Sequence, residues 1–260
     1  MTNINSALSY ETAAEPRQPS RSGVRLPLVQ PTLTYVLLVV IVLVFLVESL
    51  LGGSTNTATL LGLGAQVNAY VAAGQYSRLL TAMFLHIGVA HLAFNGWALY
   101  TLGRDVEAFY GHGRFAAIYF LSGLAGGVAY YIFGPRNVLS AGASGAIFGL
   151  AGAEAALFLA NRTLFGTMGR QRLWNLGILV VINLVLGATT PGINNMAHVG
   201  GFLCGVALGF GLAPRYQVVW EWSDSGPISR LKNRVPFWIQ AGAIGACILV
   251  LMVGLWLGNL

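Results

Sequence analysis

Charged side chains are scarce in this sequence. Asp, Glu, Lys and Arg make up 8% of its 260 residues, whereas 56% of the residues are hydrophobic. A soluble domain is normally about a quarter charged, so this composition excludes a chain whose whole surface faces water. The apolar residues form several helix-length runs. We therefore predict an all-α polytopic membrane protein whose surroundings are the lipid bilayer.

Cysteine is also rare, and the two cysteines, Cys204 and Cys247, both fall inside apolar runs. A free cysteine in such a position behaves as a small hydrophobic residue. No metal-ligand spacing and no disulfide framework is visible in the sequence. We therefore predict neither a metal site nor a cofactor.

Acidic residues are outnumbered by basic ones, which gives a formal net charge of +6. This excess does not predict nucleic-acid binding, because the basic residues occupy short connections between apolar runs and so indicate topology. With the N-terminus in the cytoplasm, only Arg78 and Arg136 lie outside, and the C-terminus is outside as well. The bacterial plasma membrane is the expected location. The other basic residues then lie on the cytoplasmic side: Arg17, Arg21, Arg25, Arg104, Arg114, Arg162, Arg170, Arg172, Arg215, Arg230, Lys232 and Arg234.

The apolar runs predict seven transmembrane helices, arranged as a core of six and one further helix (6+1). They lie at about 33–51, 91–110, 115–133, 144–160, 173–186, 196–213 and 236–257. Several are shorter than the roughly 20 residues needed to cross alone, which indicates packing inside a bundle. The predicted organisation is a disordered cytoplasmic tail (1–30), a six-helix core (31–213) with a structured, partly embedded loop (52–90), a cytoplasmic basic linker (214–235) and a C-terminal seventh helix (236–260).

Four polar side chains fall at a similar depth on three helices that descend from the outer face. His91 and Asn95 lie at the start of the second helix, Ser144 begins the fourth and His198 lies near the start of the sixth, about 5–10 Å below the interface. A serine at a helix start either caps the helix or takes part in chemistry, and a lone membrane histidine is often structural. Because ionisable groups within a membrane tend to mark functional sites, chemistry is the favoured interpretation here.

Glycines on two helices offer a way to bring these groups together. Gly201 and Gly205 recur at a spacing of four in the sixth helix, and Gly145 and Gly149 do the same in the fourth. Small residues at this spacing let helix backbones approach closely in lipid. Close approach of the two helices would carry the histidine toward the serine. The alternative is that the glycines serve packing alone.

Three segments together resemble the rhomboid family of intramembrane serine proteases: Gly142-Ala143-Ser144-Gly145, His91-Leu-Ala-Phe-Asn95 and Ala197-His198-Val-Gly-Gly201. Each motif alone is weak, but their order, helices and depths match the family. The similarity covers about residues 33–213. The C-terminal helix is consistent with members in which an extra helix follows the core, so the resemblance implies a rhomboid-like helical bundle.

The resemblance implies that Ser144 is the nucleophile and His198 the general base. A serine hydroxyl is a poor nucleophile unless a neighbouring base takes its proton, and the tetrahedral intermediate then needs donors for its oxyanion. The resemblance implies that the backbone N–H of Ser144 is one such donor. The implied oxyanion and substrate-binding residues are His91, Asn95 and Gly142, and the supporting residues are Phe148, against the histidine, with Gly201 and Gly205.

A third catalytic member is not expected. Glu48 is the acid that shares the outer half of the membrane, but it lies on a different helix, so we predict a Ser–His dyad. Glu107 is interpreted as a structural hydrogen-bonding residue, and His86 and His112 as loop residues outside the cluster. The first loop carries Gln-Tyr-Ser-Arg78 where many family members have an aromatic pair before the arginine, which affects loop packing and substrate preference.

Hydrolysis needs water, so the site is expected to be a polar cavity that opens to the outer face beneath a mobile cap at residues 187–192. A helical substrate must unwind to expose its scissile carbonyl. The expected substrate is therefore a single-span membrane protein with small or helix-breaking residues near its outer boundary. Two alternatives stay open: a catalytically inactive rhomboid-like chaperone that binds transmembrane helices, and a transporter. The sequence does not indicate an oligomeric state.

Overall fold

The computed structural model describes residues 26, 28–190, 193–223, 226–233 and 235–259, and only the backbone of residues 217–233. Its helices are α1 (Thr32–Leu50), α2 (Thr57–Gly62), α3 (Asn68–Ala72), α4 (Arg78–Thr81), α5 (Gly88–Ala98), α6 (Arg104–Tyr110), α7 (His112–Phe133), α8 (Ser144–Ala160), α9 (Arg162–Thr189), α10 (Asn195–Leu212) and α11 (Phe237–Gly258). A 3₁₀ turn (Ala82–Phe84) follows α4, and a π-helical turn (Leu99–Gly103) joins α5 to α6. The predicted disordered tail, 1–30, lies outside the described residues apart from residues 26 and 28–30.

Five helices in the described part of the chain are long and apolar enough to cross a membrane: α1, α7, α9, α10 and α11. A broken pair, Arg78–Phe84 followed by Gly88–Tyr110 with a bend of 92°, would make a sixth. Helix α8 is apolar but shorter, at 17 residues. The all-α membrane class is confirmed, whereas the count of seven crossings stays a prediction.

Helix α8 is enclosed by its neighbours, and almost every residue from Gly145 to Phe158 is buried. Helices α10 and α7 cover much of its surface. A Cβ atom on Gly201 of α10 would collide with the carbonyl oxygen of Gly145, and one on Gly205 would collide with that of Gly149. The two backbones are therefore in direct contact, which is the approach that the glycine spacing predicts.

Residues 52–90 fold into α2, α3, α4, the 3₁₀ turn and the short strand β1 (Gln66–Val67), which pairs antiparallel with β2 (Leu139–Ser140). The buried Gln66 side chain donates to the Gly127 carbonyl at 2.9 Å, and the buried Asn68 side chain donates to the Tyr130 carbonyl at 2.8 Å. Irregular backbone at membrane depth needs such protein partners. Because β2 leads into α8, the loop also supports the start of that helix.

Glu107 of α6 anchors the start of α1. Its carboxylate accepts the backbone N–H groups of Leu33 (2.8 Å) and Thr34 (2.7 Å) and the Thr34 hydroxyl (2.6 Å). His112 Nδ1 lies 2.6 Å from the same carboxylate. Helix starts carry N–H groups without intrahelical partners, and Glu107 satisfies two of them. This is the structural hydrogen bonding that the sequence predicts for Glu107.

Helix α9 begins earlier than predicted. The fifth helix was expected at 173–186, but α9 spans Arg162–Thr189 with a break at Gly166, where φ is 50°. Glycine adopts this backbone angle at little cost, so the chain can turn there and continue as a helix. The end of α9 also takes up residues 187–189 of the predicted cap, and residues 191–192 of that cap lie outside the described residues.

The predicted basic linker, 214–235, contains an antiparallel hairpin of β3 (Tyr216–Ser223) and β4 (Gly226–Asn233). Valine, tryptophan and tyrosine make up most of β3. Such residues favour strands because they fit a pleated, half-buried surface. The basic charge of this stretch indicates the side of the membrane on which it lies, and its β-forming composition is what favours the hairpin.

Helix α11 packs against α7 and α10. The Tyr131 hydroxyl of α7 donates to Asn259 Oδ1 at 2.7 Å, just beyond the end of α11, and the Asn259 amide lies 3.2 Å from the Tyr76 hydroxyl in the first loop. In the middle of the two helices, the sulfur atoms of Cys204 (α10) and Cys247 (α11) are 3.2 Å apart. The C-terminal helix is thus attached to the core at more than one level.

Candidate active site

Ser144 is the first residue of α8, but its hydroxyl does not cap the helix. The N-cap residue is Ala143, which makes no side-chain cap and whose carbonyl accepts the Ile147 N–H at 3.0 Å. The Ser144 hydroxyl instead lies 2.9 Å from His198 Nε2 of α10. Of the two explanations for a serine at a helix start, capping is therefore wrong for this hydroxyl.

His198 is held in a single orientation by its neighbours. Its side chain is buried, and its ring stacks on the Phe148 ring with centroids 4.3 Å apart and an interplanar angle of 4°. Phe148 lies one turn after Ser144 on α8, so one helix presents both the hydroxyl and the stacking partner. The other ring nitrogen, His198 Nδ1, is buried and has no hydrogen-bond partner among the described residues.

The backbone at Gly142 permits close approach of the His91 ring. A Cβ atom on Gly142 would lie 2.7 Å from His91 Cε1 and 2.8 Å from His91 Nε2, and the residue has φ 132°. Both the space and the backbone angle therefore favour glycine here. The Gly142 N–H donates to the Ala82 carbonyl at 2.9 Å, which fixes the chain two residues before Ser144.

His91 and Asn95 occupy one face of α5 but differ in their contacts. His91 Nδ1 accepts the Ile87 N–H at 3.2 Å, while its Nε2 faces Gly142. The Asn95 amide donates to the His91 carbonyl of its own helix at 2.9 Å, and its Oδ1 is buried without a hydrogen-bond partner in the described part of the chain. The structure thus brings His91 to the segment that enters α8, and the hydrogen bond of the Asn95 side chain stays within α5.

Two residues that the sequence interpretation left outside the cluster lie beside it. The His86 ring centroid is 5.3 Å from that of His91. The Glu48 carboxylate of α1 accepts the His86 backbone N–H at 3.0 Å. His86 is a buried loop residue that makes hydrogen bonds, as the sequence predicts. Its separation from the cluster is wrong, because the chain bends by 92° before α5 and brings His86 next to His91.

A comparison with known protein families identifies the family of this chain. The sequence model of the rhomboid domain matches residues 73–215, more than half of the chain. The chain belongs to the rhomboid family. Ser144, His198, His91 and Asn95 all lie inside the matched rhomboid segment, whereas Glu48 and helix α11 lie outside it.

Individual rhomboid relatives match this chain over 150 to 178 residues. Rhomboid protease GluP of Bacillus subtilis is 45% identical over 177 residues, which are 68% of this chain and 34% of that protein. RHOMBOID-like protein 2 of Arabidopsis thaliana is 38% identical over 178 residues, 68% of this chain and 55% of the relative. Rhomboid-type serine protease 2 of Emericella nidulans is 36% identical over 150 residues, which are 56% of this chain and 29% of that protein. The chain therefore spans only 29% to 55% of the length of these rhomboid relatives.

Proposed function

We propose that this rhomboid family member is an intramembrane serine endopeptidase that uses a Ser–His dyad. The observation that carries the proposal is the 2.9 Å separation of Ser144 Oγ and His198 Nε2, held between two helices whose glycine backbones touch. A nucleophile and a base within hydrogen-bond reach are the first requirement of acyl transfer by serine. The family supplies the reaction class, and the geometry supports the assignment of these two residues to it.

The reaction begins when Ser144 Oγ attacks the scissile carbonyl carbon while His198 Nε2 takes the hydroxyl proton. The tetrahedral intermediate collapses as the protonated His198 gives this proton to the leaving amine, and an acyl-enzyme on Ser144 remains. A water molecule, deprotonated by the same nitrogen, then attacks the ester, and the second tetrahedral intermediate collapses to release the acid product while His198 returns the proton to Ser144 Oγ. The parallel Phe148 ring keeps the imidazole plane in line with the hydroxyl throughout.

The oxyanion of the intermediate is stabilised by donors around the start of α8. The Ser144 N–H belongs to the first turn of the helix, where N–H groups have no intrahelical acceptor and the helix dipole favours negative charge. His91 Nε2, which faces Gly142, supplies a second donor. Asn95 supplies a third after its amide turns away from the His91 carbonyl that it contacts in this structure.

A dyad without a third member is supported by the surroundings of His198. Its Nδ1 atom has no hydrogen-bond partner among the described residues. The carboxylate of Glu48 bonds to the backbone of His86. In a triad, a carboxylate would instead accept a hydrogen bond from the second ring nitrogen of the base.

The proposed substrate is a single-span membrane protein with small or helix-breaking residues near its outer boundary. Such a segment unwinds more readily than a regular helix, because glycine and proline are poor helix formers. The enzyme lies in the bacterial plasma membrane with its N-terminus in the cytoplasm and its C-terminus outside.

The main alternative is a rhomboid-like protein that binds transmembrane helices without cutting them, and a transporter is a weaker one. Both leave the contact between Ser144 and His198 without a purpose. A binding protein needs no activated hydroxyl, and a transporter would use polar groups along a path through the membrane. His198 and His91 instead both contact the segment at the start of α8.

The test is cleavage of a single-span reporter protein by the purified chain in proteoliposomes. We expect cleavage by the unmodified chain, loss of cleavage in Ser144→Ala and in His198→Ala, and little change in Cys204→Ala, which alters the same helix as His198 away from the site. Binding of the reporter by the unmodified chain without cleavage would favour the non-cutting alternative. Uptake of a solute with no reporter binding would favour the transporter.

A further inference from the structure

Glu48 is a buried carboxyl group that the proposed mechanism does not use. Its residue is 0% exposed, although its neighbours on α1, Val47 and Ser49, face outward. One carboxylate oxygen, Oε1, accepts the His86 N–H, and the other, Oε2, is buried without a hydrogen-bond partner in the described ranges. A carboxyl group at membrane depth is costly to bury and generally marks a functional position.

The bond from Glu48 holds the break in the chain between the 3₁₀ turn and α5. His86 lies in this break and is fully buried. Its ring Nδ1 is 3.1 Å from the Phe84 carbonyl oxygen, which can only accept, so Nδ1 of His86 carries a proton. The break is thus fixed by two hydrogen bonds, one from the His86 backbone N–H to Glu48 and one from the His86 ring to the Phe84 carbonyl. The direction of the next backbone N–H, that of Ile87, follows from this.

The Ile87 N–H determines which nitrogen of His91 is protonated. It donates to His91 Nδ1 at 3.2 Å, and a backbone N–H cannot accept. A neutral imidazole has one donor and one acceptor nitrogen, so the proton of His91 lies on Nε2. That atom faces the backbone of Gly142, two residues before Ser144. The break therefore turns His91 into an N–H donor toward the chain that enters α8.

We propose that Glu48 is a positioning residue for His91. By holding the backbone of His86, it keeps Ile87 in place, and Ile87 keeps the proton of His91 on Nε2, where it can be donated to the oxyanion. The inference rests on the proposed function in that it requires His91 to act as an oxyanion donor. It assigns Glu48 no contact with His198 and no part in proton transfer.

The kinetic test compares Glu48→Leu, Glu48→Gln and the control Ser49→Ala. Ser49 is the next residue of α1 and is exposed, and its hydroxyl bonds to the Phe45 carbonyl of its own helix. Loss of one oxyanion donor costs about a hundredfold to a thousandfold in kcat, and we expect Glu48→Leu to lose about tenfold to a hundredfold because the donor is misdirected but present. KM should not change, since the oxyanion forms only after substrate binding. Glu48→Gln keeps an acceptor oxygen for the His86 N–H and should retain most of the activity, as should Ser49→Ala.

A double-mutant cycle separates positioning from general stability. In a His91→Ala background, Glu48→Leu should cause little further loss of kcat, because the residue through which Glu48 acts is gone. An equal loss in both backgrounds would overturn the proposal, and so would a loss confined to KM. Equal damage in Glu48→Gln and Glu48→Leu would also overturn it, since only the second removes the acceptor.

A second measurement decides the inference even for a chain that does not cleave. The sequence has only 4 histidines, so their ¹⁵N NMR signals can be resolved when the protein is labelled with ¹⁵N-histidine. The spectrum of His91→Ala identifies the His91 signals, which report whether each of its nitrogens carries a proton. We expect Nε2 protonated and Nδ1 unprotonated in the unmodified chain, and a mixture in Glu48→Leu. A proton on Nδ1 of His91 in the unmodified chain would refute the proposal. Absence of cleavage with the expected NMR result would count against the proposed function alone.

Discussion

Gly201 of α10 and Gly145 of α8 are in backbone contact, so that a Cβ atom on Gly201 would overlap the Gly145 carbonyl oxygen. His198 lies three residues before Gly201, and Ser144 directly precedes Gly145. The contact between the two glycines therefore sets the distance between the histidine ring and the serine hydroxyl. The small residues of the bundle are a condition for the chemistry as well as for packing.

Substitution of Gly201 should separate the two catalytic side chains. We expect Gly201→Val to abolish cleavage, because α10 must move away from α8 by more than the tolerance of a hydrogen bond. Gly245→Val on α11 is the matched control, since a Cβ at Gly245 meets no atom within 4 Å. Reporter cleavage measured in proteoliposomes tests this, and full activity of Gly201→Val would show that the contact is not needed.

Loss of the ring beneath His198 should reduce activity without removing it. An aromatic pair contributes about 0.5–1.5 kcal/mol beyond its buried area, which corresponds to roughly twofold to tenfold in rate. We expect a reduction of about this size in kcat for Phe148→Leu, which keeps an apolar side chain at the position. Phe158→Leu, elsewhere on α8, provides the comparison. If both variants lost the same activity, stacking on His198 would not be the cause.

Removal of the Glu107 carboxylate should destabilise the protein. Glu107→Ala leaves the Leu33 and Thr34 N–H groups without their acceptor, and each buried unsatisfied group costs about 1–3 kcal/mol. His112→Ala should have a smaller effect, because the His112 side chain is half exposed. Thermal unfolding in detergent compares the two variants. The assignment of Glu107 as an anchor would fail if Glu107→Ala unfolded at the temperature of the unmodified chain.

The sequence predicts which helix carries each catalytic candidate because hydrophobic runs are local patterns, and the common depth of the candidates stays a prediction. Ser144, His198 and Phe148 could be grouped from spacing and from the family resemblance. The sequence alone leaves capping open for the Ser144 hydroxyl, because the choice between a cap and a tertiary partner depends on α10, which is distant in the chain.

Other features could not be predicted because they arise from contacts between distant segments. Arg172 of α9 bridges Asp105 of α6 and Glu154 of α8, although nothing in the local sequence of any of the three residues indicates a partner. The same is true of Glu48 and His86, which lie 38 residues apart. The fold-back that joins them depends on a bend whose angle no periodicity encodes.

The cysteine pair provides a test of how α11 is placed. The two sulfur atoms are 3.2 Å apart, whereas the S–S bond of a disulfide is about 2.05 Å long. The two helices therefore need to approach by only about 1 Å for the bond to form. We expect a membrane-permeant two-electron oxidant, such as a quinone, to accept the two thiol hydrogens and leave a bond between Cys204 and Cys247. Mass-tagging after denaturation should then find no free thiol in the oxidised, unmodified chain. It should find one free thiol in Cys204→Ala and one in Cys247→Ala. Two free thiols after oxidation would place the helices further apart.

Labelling by a fluorophosphonate probe tests the central claim most directly, because the probe reacts with a serine hydroxyl that a base has activated. Mass spectrometry of the labelled chain should locate the adduct on Ser144, and His198→Ala should abolish it while leaving the fold intact. Labelling of Ser144 that persists at full rate in His198→Ala would contradict the dyad, and an unlabelled Ser144 in the folded, unmodified chain would contradict the assignment of a protease.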